Sequence, residues 1–111
     1  YKSLFDNAVE GMYRTSPDGR YLAANDALAR IYGYDSARAL MSELTDIAGS
    51  LYVNPRDRER FQAALEGTNA VHDFIARVRR RDGTQIWINE NARSVRAEDG
   101  TLKWYEGFVQ D

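Results

Sequence analysis

The residue types that commonly carry chemistry are sparse in this chain. Its 111 residues include no cysteine and a single histidine, His72. Without cysteine there are no disulfides, no thiolate metal sites and no cysteine nucleophiles. Ser3, Ser36, Ser42, Ser50 and Ser94 stand in no Gly-x-Ser-x-Gly elbow, and His72 has no evident catalytic partner. No Gly-rich phosphate loop and no Asp/Asn ladder of a calcium site is present. His72 falls at the start of a predicted strand, where a half-exposed edge residue is the commoner role. Arg77, Arg79, Arg80 and Arg81 crowd one strand and its turn, a pattern that can meet phosphate. The net charge of −2 favours instead a solvated face paired with acids such as Glu98 and Asp99. Tyr13, Tyr32, Tyr34, Tyr52 and Tyr105 can bring hydroxyls to a pocket, or serve as core and rim.

These side chains are positioned by a simple order of elements. Val71–Arg80, Gln85–Arg96 and Leu102–Val109 read as three strands joined at Asp82-Gly83 and Asp99-Gly100, because Asp-Gly supplies the positive φ that tight hairpins need. Upstream, Ser3 caps a short helix carrying Leu4, Phe5, Ala8 and Val9, which Gly11 ends. Met12–Ser16 and Arg20–Ala24 form a hairpin around Pro17-Asp18-Gly19. Asn25 caps a helix with Ala27, Leu28, Ile31 and Tyr32 facing a core, and Gly33 suits its end. Ser36 caps a second helix with Leu40 and Met41, and residues 44–51 read as a helical turn containing Ile47. Asn54-Pro55 starts the longest helix, with Phe61, Ala64 and Leu65 as its buried stripe and Gly67 as its end. Runs of strands separated by helices predict an α+β fold: a five-stranded antiparallel sheet covered on one face by short helices. The length is that of one domain, and no apolar run approaches a membrane span. The lack of an initiator Met and the final Asp111 suggest a segment of a longer protein, with the segment itself expected in the cytoplasm and any membrane attachment left to the parent.

The chain resembles a PAS sensor domain over essentially its whole length. Thr15-Ser16-Pro17-Asp18-Gly19-Arg20 resembles the family's first hairpin, and Asn25-Asp26-Ala27-Leu28 with Tyr32-Gly33-Tyr34 its first core helix. Asn54-Pro55-Arg56-Asp57-Arg58 resembles the start of its long helix, Arg80-Arg81-Asp82-Gly83 with Ile86-Trp87 a strand turn, and Gly107-Phe108-Val109-Gln110-Asp111 its last strand. Ser36-Ala37-Arg38-Ala39-Leu40 departs from the family's Ser-Pro-Glu-Glu-Leu, which predicts a weakly held helix end.

The resemblance implies a pocket between the inner sheet face and the helices. If strand parity follows the family, Tyr13, Thr15, Phe74, Ala76, Val78, Ile88, Glu90, Ala92 and Val109 face inward, closed over by Leu28, Tyr32, Leu40, Ile47 and Phe61. A Cys-adduct flavin is disfavoured because there is no cysteine, and the places where the family carries flavin-holding amides fall on apolar Val78, Ile88 and Val109. Haem is disfavoured because the long helix lacks the family's axial His. No cofactor and no metal is predicted. The expected guest is an unidentified small organic ligand, with a filled, guest-free core as the alternative.

Glu90 is the one inward carboxylate in that set. It requires a cationic or hydroxylated ligand, or a buried Tyr or an Arg such as Arg14, unless the strand shifts parity and solvates it. The other face of that strand (Trp87, Asn89, Asn91, Arg93, Val95) is equally mixed, so alternation leaves both parities open.

The functional expectation is a sensory or dimerisation domain that controls an attached effector: a histidine kinase, a diguanylate cyclase or a transcriptional regulator. The rival is a small α+β enzyme using Glu90 as a buried acid or base. A homodimer is expected through Leu4, Phe5, Val9, Trp104 and Phe108, with output leaving at Asp111 and no direct contact with nucleic acid or membrane.

Overall fold

The computed structural model describes residues 9–45 and 47–110. The expected first helix, with Leu4 and Phe5, and the terminal Asp111 lie outside the described residues. Strands β1 (Gly11–Thr15) and β2 (Tyr21–Ala24) form the first hairpin. Helices α1 (Asp26–Tyr32) and α2 (Ala37–Glu43), a π-helical turn (Ile47–Leu51) and helix α3 (Pro55–Thr68) follow. Strands β3 (Ala70–Arg79), β4 (Gln85–Arg96) and β5 (Leu102–Gln110) complete one antiparallel sheet in the order β2-β1-β5-β4-β3. The α+β class and the five-stranded sheet with helices over one face are as expected.

Local chemistry explains the boundaries. Asn25 caps α1 by accepting the Leu28 N–H at 3.0 Å; the same oxygen takes the Met12 N–H at 2.9 Å, and its amide donates to the Glu10 carbonyl. One side chain therefore ends a strand pair and starts a helix. Ser36 caps α2 through the Ala39 N–H at 3.1 Å, so that helix end is held despite the missing proline and acid. Both Asp-Gly turns place the glycine at φ 88, and Asp82 and Asp99 accept the Thr84 and Thr101 N–H groups.

Several boundaries differ from expectation. Gly11 does not end a helix; it opens β1, packed so close to α1 that a Cβ would meet the Leu28 Cα at 3.0 Å. Helix α3 runs past Gly67, and Asn69 takes the left-handed capping position at φ 64. The turn at 47–51 is π-helical. β3 begins one residue earlier than expected and carries a bulge between Val71 and Phe74, with Asp73 at φ 52. That conformation is uncommon for a non-glycine, and here its N–H is met by Asn91 Oδ1 at 2.9 Å.

The core lies between the sheet and its helical cover. Leu28, Tyr32, Leu40, Ile47 and Leu51 of the cover pack against Tyr13, Ala76, Val78, Ile88 and Val109 of the sheet. A second cluster joins Phe61 and Leu65 of α3 to Val71, Ala92 and Tyr105. Beyond the π-helical turn, the chain lies along the free edge of β3. Val53 donates to the Arg77 carbonyl at 3.1 Å, Tyr52 pairs with Val78, and Arg79 donates to the Tyr52 carbonyl.

Candidate functional site

Strand alternation turns Ile88, Glu90 and Ala92 inward, and Glu90 is 4% exposed. The solvated alternative for Glu90 therefore does not hold, and neither does Arg14 as its partner. Arg14 lies on the opposite face, 3.4 Å from Glu106. Glu90 is held instead by two phenols. Tyr13 from β1 donates to Oε2 at 2.5 Å, and Tyr52 from the cover donates to Oε1 at 2.9 Å. In the sheet, Glu90 stands opposite Val109 on β5 and Phe74 on β3. The cluster thus joins the floor of the cup to its lid across three elements.

A glycine makes room for it. Gly107 lies between Tyr13 and Ala92 in the sheet. A Cβ there would come to 2.5 Å from the Asn91 carbonyl oxygen and 2.9 Å from the Tyr13 hydroxyl. Only a residue without a side chain lets that phenol reach Glu90.

The electrostatics follow from burial. Desolvation raises the Glu90 carboxyl above its usual range; the Tyr13 and Tyr52 hydrogen bonds and the charge of Arg58 oppose this without reversing it. The Tyr13 and Tyr52 phenols are pushed well up, first by burial and then by the Glu90 charge. Tyr32 and Tyr21 are also pushed up, burial again being the main cause. The cluster can therefore hold a proton in the core, or exchange one phenol hydrogen bond for that of a guest hydroxyl.

The remaining predicted pocket residues Thr15, Leu28, Tyr32, Ile47, Phe61, Val78, Ile88 and Val109 are all buried, and Phe74 is half-buried against Phe61, with ring centroids 5.4 Å apart. Sequence reasoning singled out neither Tyr52 as a partner of Glu90 nor Arg58 as a buried charge. Arg58 is 5% exposed and lies over the Phe61 ring at 5.6 Å. A signal was present: residues 58, 61 and 65 share one helical face, so Arg58 belonged to the stripe that buries Phe61 and Leu65.

The outer face differs in kind. Trp87 is 57% exposed under the Arg77 guanidinium, and Ile75 and Phe108 are exposed on the same face, Phe108 opposite Asn91 further along β4. Trp104 is only half-exposed, flanked by Arg14 and Lys103. A concavity of about 680 Å³ opens on this face, lined by Met12, Arg14, His72, Asn91, Arg93 and Phe108. Val9 is 92% exposed. The arginine run does not pair with Glu98 and Asp99: Arg81 pairs with Glu43, while Arg79 and Arg80 donate to backbone carbonyls. Among the described residues, no group of three or more His, Asp or Glu is placed to hold a metal ion, and no helix is long and apolar enough to cross a membrane.

Comparison with known proteins gives consistent findings. A family described as the PAS fold matches residues 21–109. The PAS domain of a Colwellia psychrerythraea protein superposes with a TM-score of 0.81 at 21% identity, covering 99% of this chain and 92% of that one. A domain of a sensory box sensor histidine kinase/response regulator from Geobacter sulfurreducens gives 0.69 at 24% identity, covering 100% and 90%. The PAS domain, in complex with ethanol, of a LuxR-family transcriptional regulator from Burkholderia thailandensis gives 0.72 at 19%, covering 97% and 94%. At these identities the likeness is one of fold.

Proposed function

Because this chain belongs to the PAS fold family, we propose that it is the sensory domain of a signal-transduction protein, with the Tyr13–Glu90–Tyr52 cluster as its sensing centre. A small organic guest at this centre changes how the lid is tied to the sheet. The observation that carries the reading is the placement of Glu90: it links a lid residue to the strand that faces β5, the last strand before Asp111. A guest that favours one packing of the cluster over another shifts the population, and β5 passes the change to an attached effector. Histidine kinases and transcriptional regulators are the effector classes suggested by the Geobacter and Burkholderia relatives, with a diguanylate cyclase as a third. The ethanol-bound relative supports a guest of small, hydroxylated character. Haem and Cys-adduct flavin are disfavoured in this reading: α3 has no His, the sequence has no cysteine, and Val78, Ile88 and Val109 offer no amide. The enzymatic alternative is disfavoured because both Glu90 oxygens already accept phenol hydrogens.

Native mass spectrometry of protein purified from its own host tests this reading. A retained small molecule, lost in Tyr13→Phe, is the expected result. Repeated absence of any adduct would turn the reading to a second one, a guest-free dimerisation module. Exposed Trp87 and Ile75, with exposed Phe108 in the lining of the outer concavity, support that second reading. It expects a homodimer in sedimentation that Phe108→Glu dissociates.

A further inference from the structure

Arg58 is a buried charge that takes no part in the hydrogen bonds of the Tyr13–Glu90–Tyr52 cluster. Its guanidinium makes no hydrogen bond or ion pair with the described residues, and Nη2 is sealed from solvent without an acceptor. It lies over the Phe61 ring, and its Nη2 comes within 3.9 Å of where a Cβ on Gly19 would stand. Gly19 is in the turn between β1 and β2. Thr15, the last residue of β1, faces Tyr21 across the same hairpin, and its buried hydroxyl also has no partner. The Arg58 charge favours the ionised form of Glu90 and opposes the rise of the Tyr52 and Tyr21 phenols. Two unpartnered polar groups, Arg58 Nη2 beside Gly19 and the Thr15 hydroxyl at the end of β1, therefore lie at the same hairpin.

A guanidinium stays charged in a protein, and a buried charge with no acceptor costs several kcal/mol. Buried donors without partners are rare in folded proteins. Phe61 and Tyr21 supply apolar surface beside the two donors, which is the composition of a small-molecule site: mostly apolar, with a few convergent polar groups. An acceptor that carries negative charge and presents two oxygens matches the planar fork of Arg.

We propose that Arg58 and Thr15 form the polar end of the ligand site and that the ligand is a small organic carboxylate. Arg58 donates to its oxygens, Thr15 donates its hydroxyl, and the apolar remainder lies along Phe61 and Tyr21 toward Glu90. This assignment rests on the sensory reading and names its ligand class.

The test titrates the domain with acetate and benzoate and, in parallel, with their neutral counterparts acetamide and benzamide. Binding is followed by calorimetry and by the side-chain N–H resonances of Arg58. The acids are expected to bind and shift those resonances, with the amides weaker by about tenfold or more, the scale of a hydrogen bond to a charged group. Arg58→Met is expected to lose a similar factor, Arg58→Lys to recover part of it, and Thr15→Val to lose less. The wild-type resonances carry the result even if a variant folds poorly. Acids and amides that bind equally, with the Arg58 signals unmoved, would overturn the carboxylate assignment while leaving the sensory reading standing. Nitrate shifting Arg58 as strongly as acetate would reduce the site to a general anion hole and overturn the assignment too. No binding by either class, with only water at Arg58, would overturn it, and joined to absence of a guest in host-purified protein would remove the sensory reading as well.

Discussion

Glu90 and Glu106 sit on adjacent strands of one sheet, yet their carboxyls move in opposite directions. Glu90 faces the core and is held by neutral phenols. Glu106 faces outward between two arginines, with Arg93 at 2.5 Å and Arg14 at 3.4 Å. Both are desolvated. For Glu90 burial prevails and its pKa is raised. For Glu106 the hydrogen bond and charge of Arg93, helped by Trp104 and Arg14, outweigh it and the pKa is lowered. The difference shows what each face is built for. Outside, charge is matched by charge at little depth, where ion pairs contribute modestly. Inside, a proton on the acid relieves the burial cost, so the cluster is sensitive to anything that adds or removes a hydrogen-bond partner.

The largest test of this contrast is steric. Gly107→Ala places a methyl against the Asn91 carbonyl and the Tyr13 hydroxyl. It should cost about 3 kcal/mol, at the upper end for overpacking, read as the drop in thermal midpoint by circular dichroism. An unchanged midpoint would show that the Tyr13 contact is not confined as described.

Removing the phenol donors comes next. Tyr13→Phe and Tyr52→Phe should each cost about 1–3 kcal/mol in denaturant unfolding, because each leaves one Glu90 oxygen unpaired in the core. Glu90→Leu added to the double Phe variant should recover stability, since an apolar replacement removes the unpaired acid as well. A further loss of stability instead would mean that Glu90 has support beyond the two phenols.

The pH profile gives the smallest but most diagnostic effect. Glu90 has a folded pKa above its unfolded one, so its contribution is present below the ordinary carboxylate range and is lost as pH rises through the raised value. Glu106, with Asp82 and Asp99, has the reverse sign: stability present above the ordinary range is lost as pH falls through the depressed values. Glu90→Gln should flatten the higher-pH side of a stability–pH curve, and Glu106→Gln the acid side. Identical curves for the two variants would erase the contrast between the faces.

Much of the fold was legible because it was written in local chemistry. Asn25, Ser36 and Asn54 announced their helices, and two Asp-Gly pairs fixed the hairpins. The orientation of β4 was not legible, since both of its faces mix polar and apolar residues. It is decided by Tyr13 and Tyr52, which are 77 and 38 residues away from Glu90. The bulge at His72-Asp73 escaped for a related reason: Asn91, on the neighbouring strand, supplies the hydrogen bond that supports it. Arg58 was hidden by its type more than by its position, because arginine next to Asp57 and Glu59 reads as solvated helix surface.

The segment that carries Tyr52 has a second consequence, for self-assembly. β3 is an outermost strand, and such strands offer open backbone groups on which a foreign strand can grow. Val53 and Tyr52 already occupy that rim at Arg77 and Val78. At Arg77 and Val78 another molecule finds the edge already taken, and a lid loosened from Glu90 would uncover a sticky border as well as the cup.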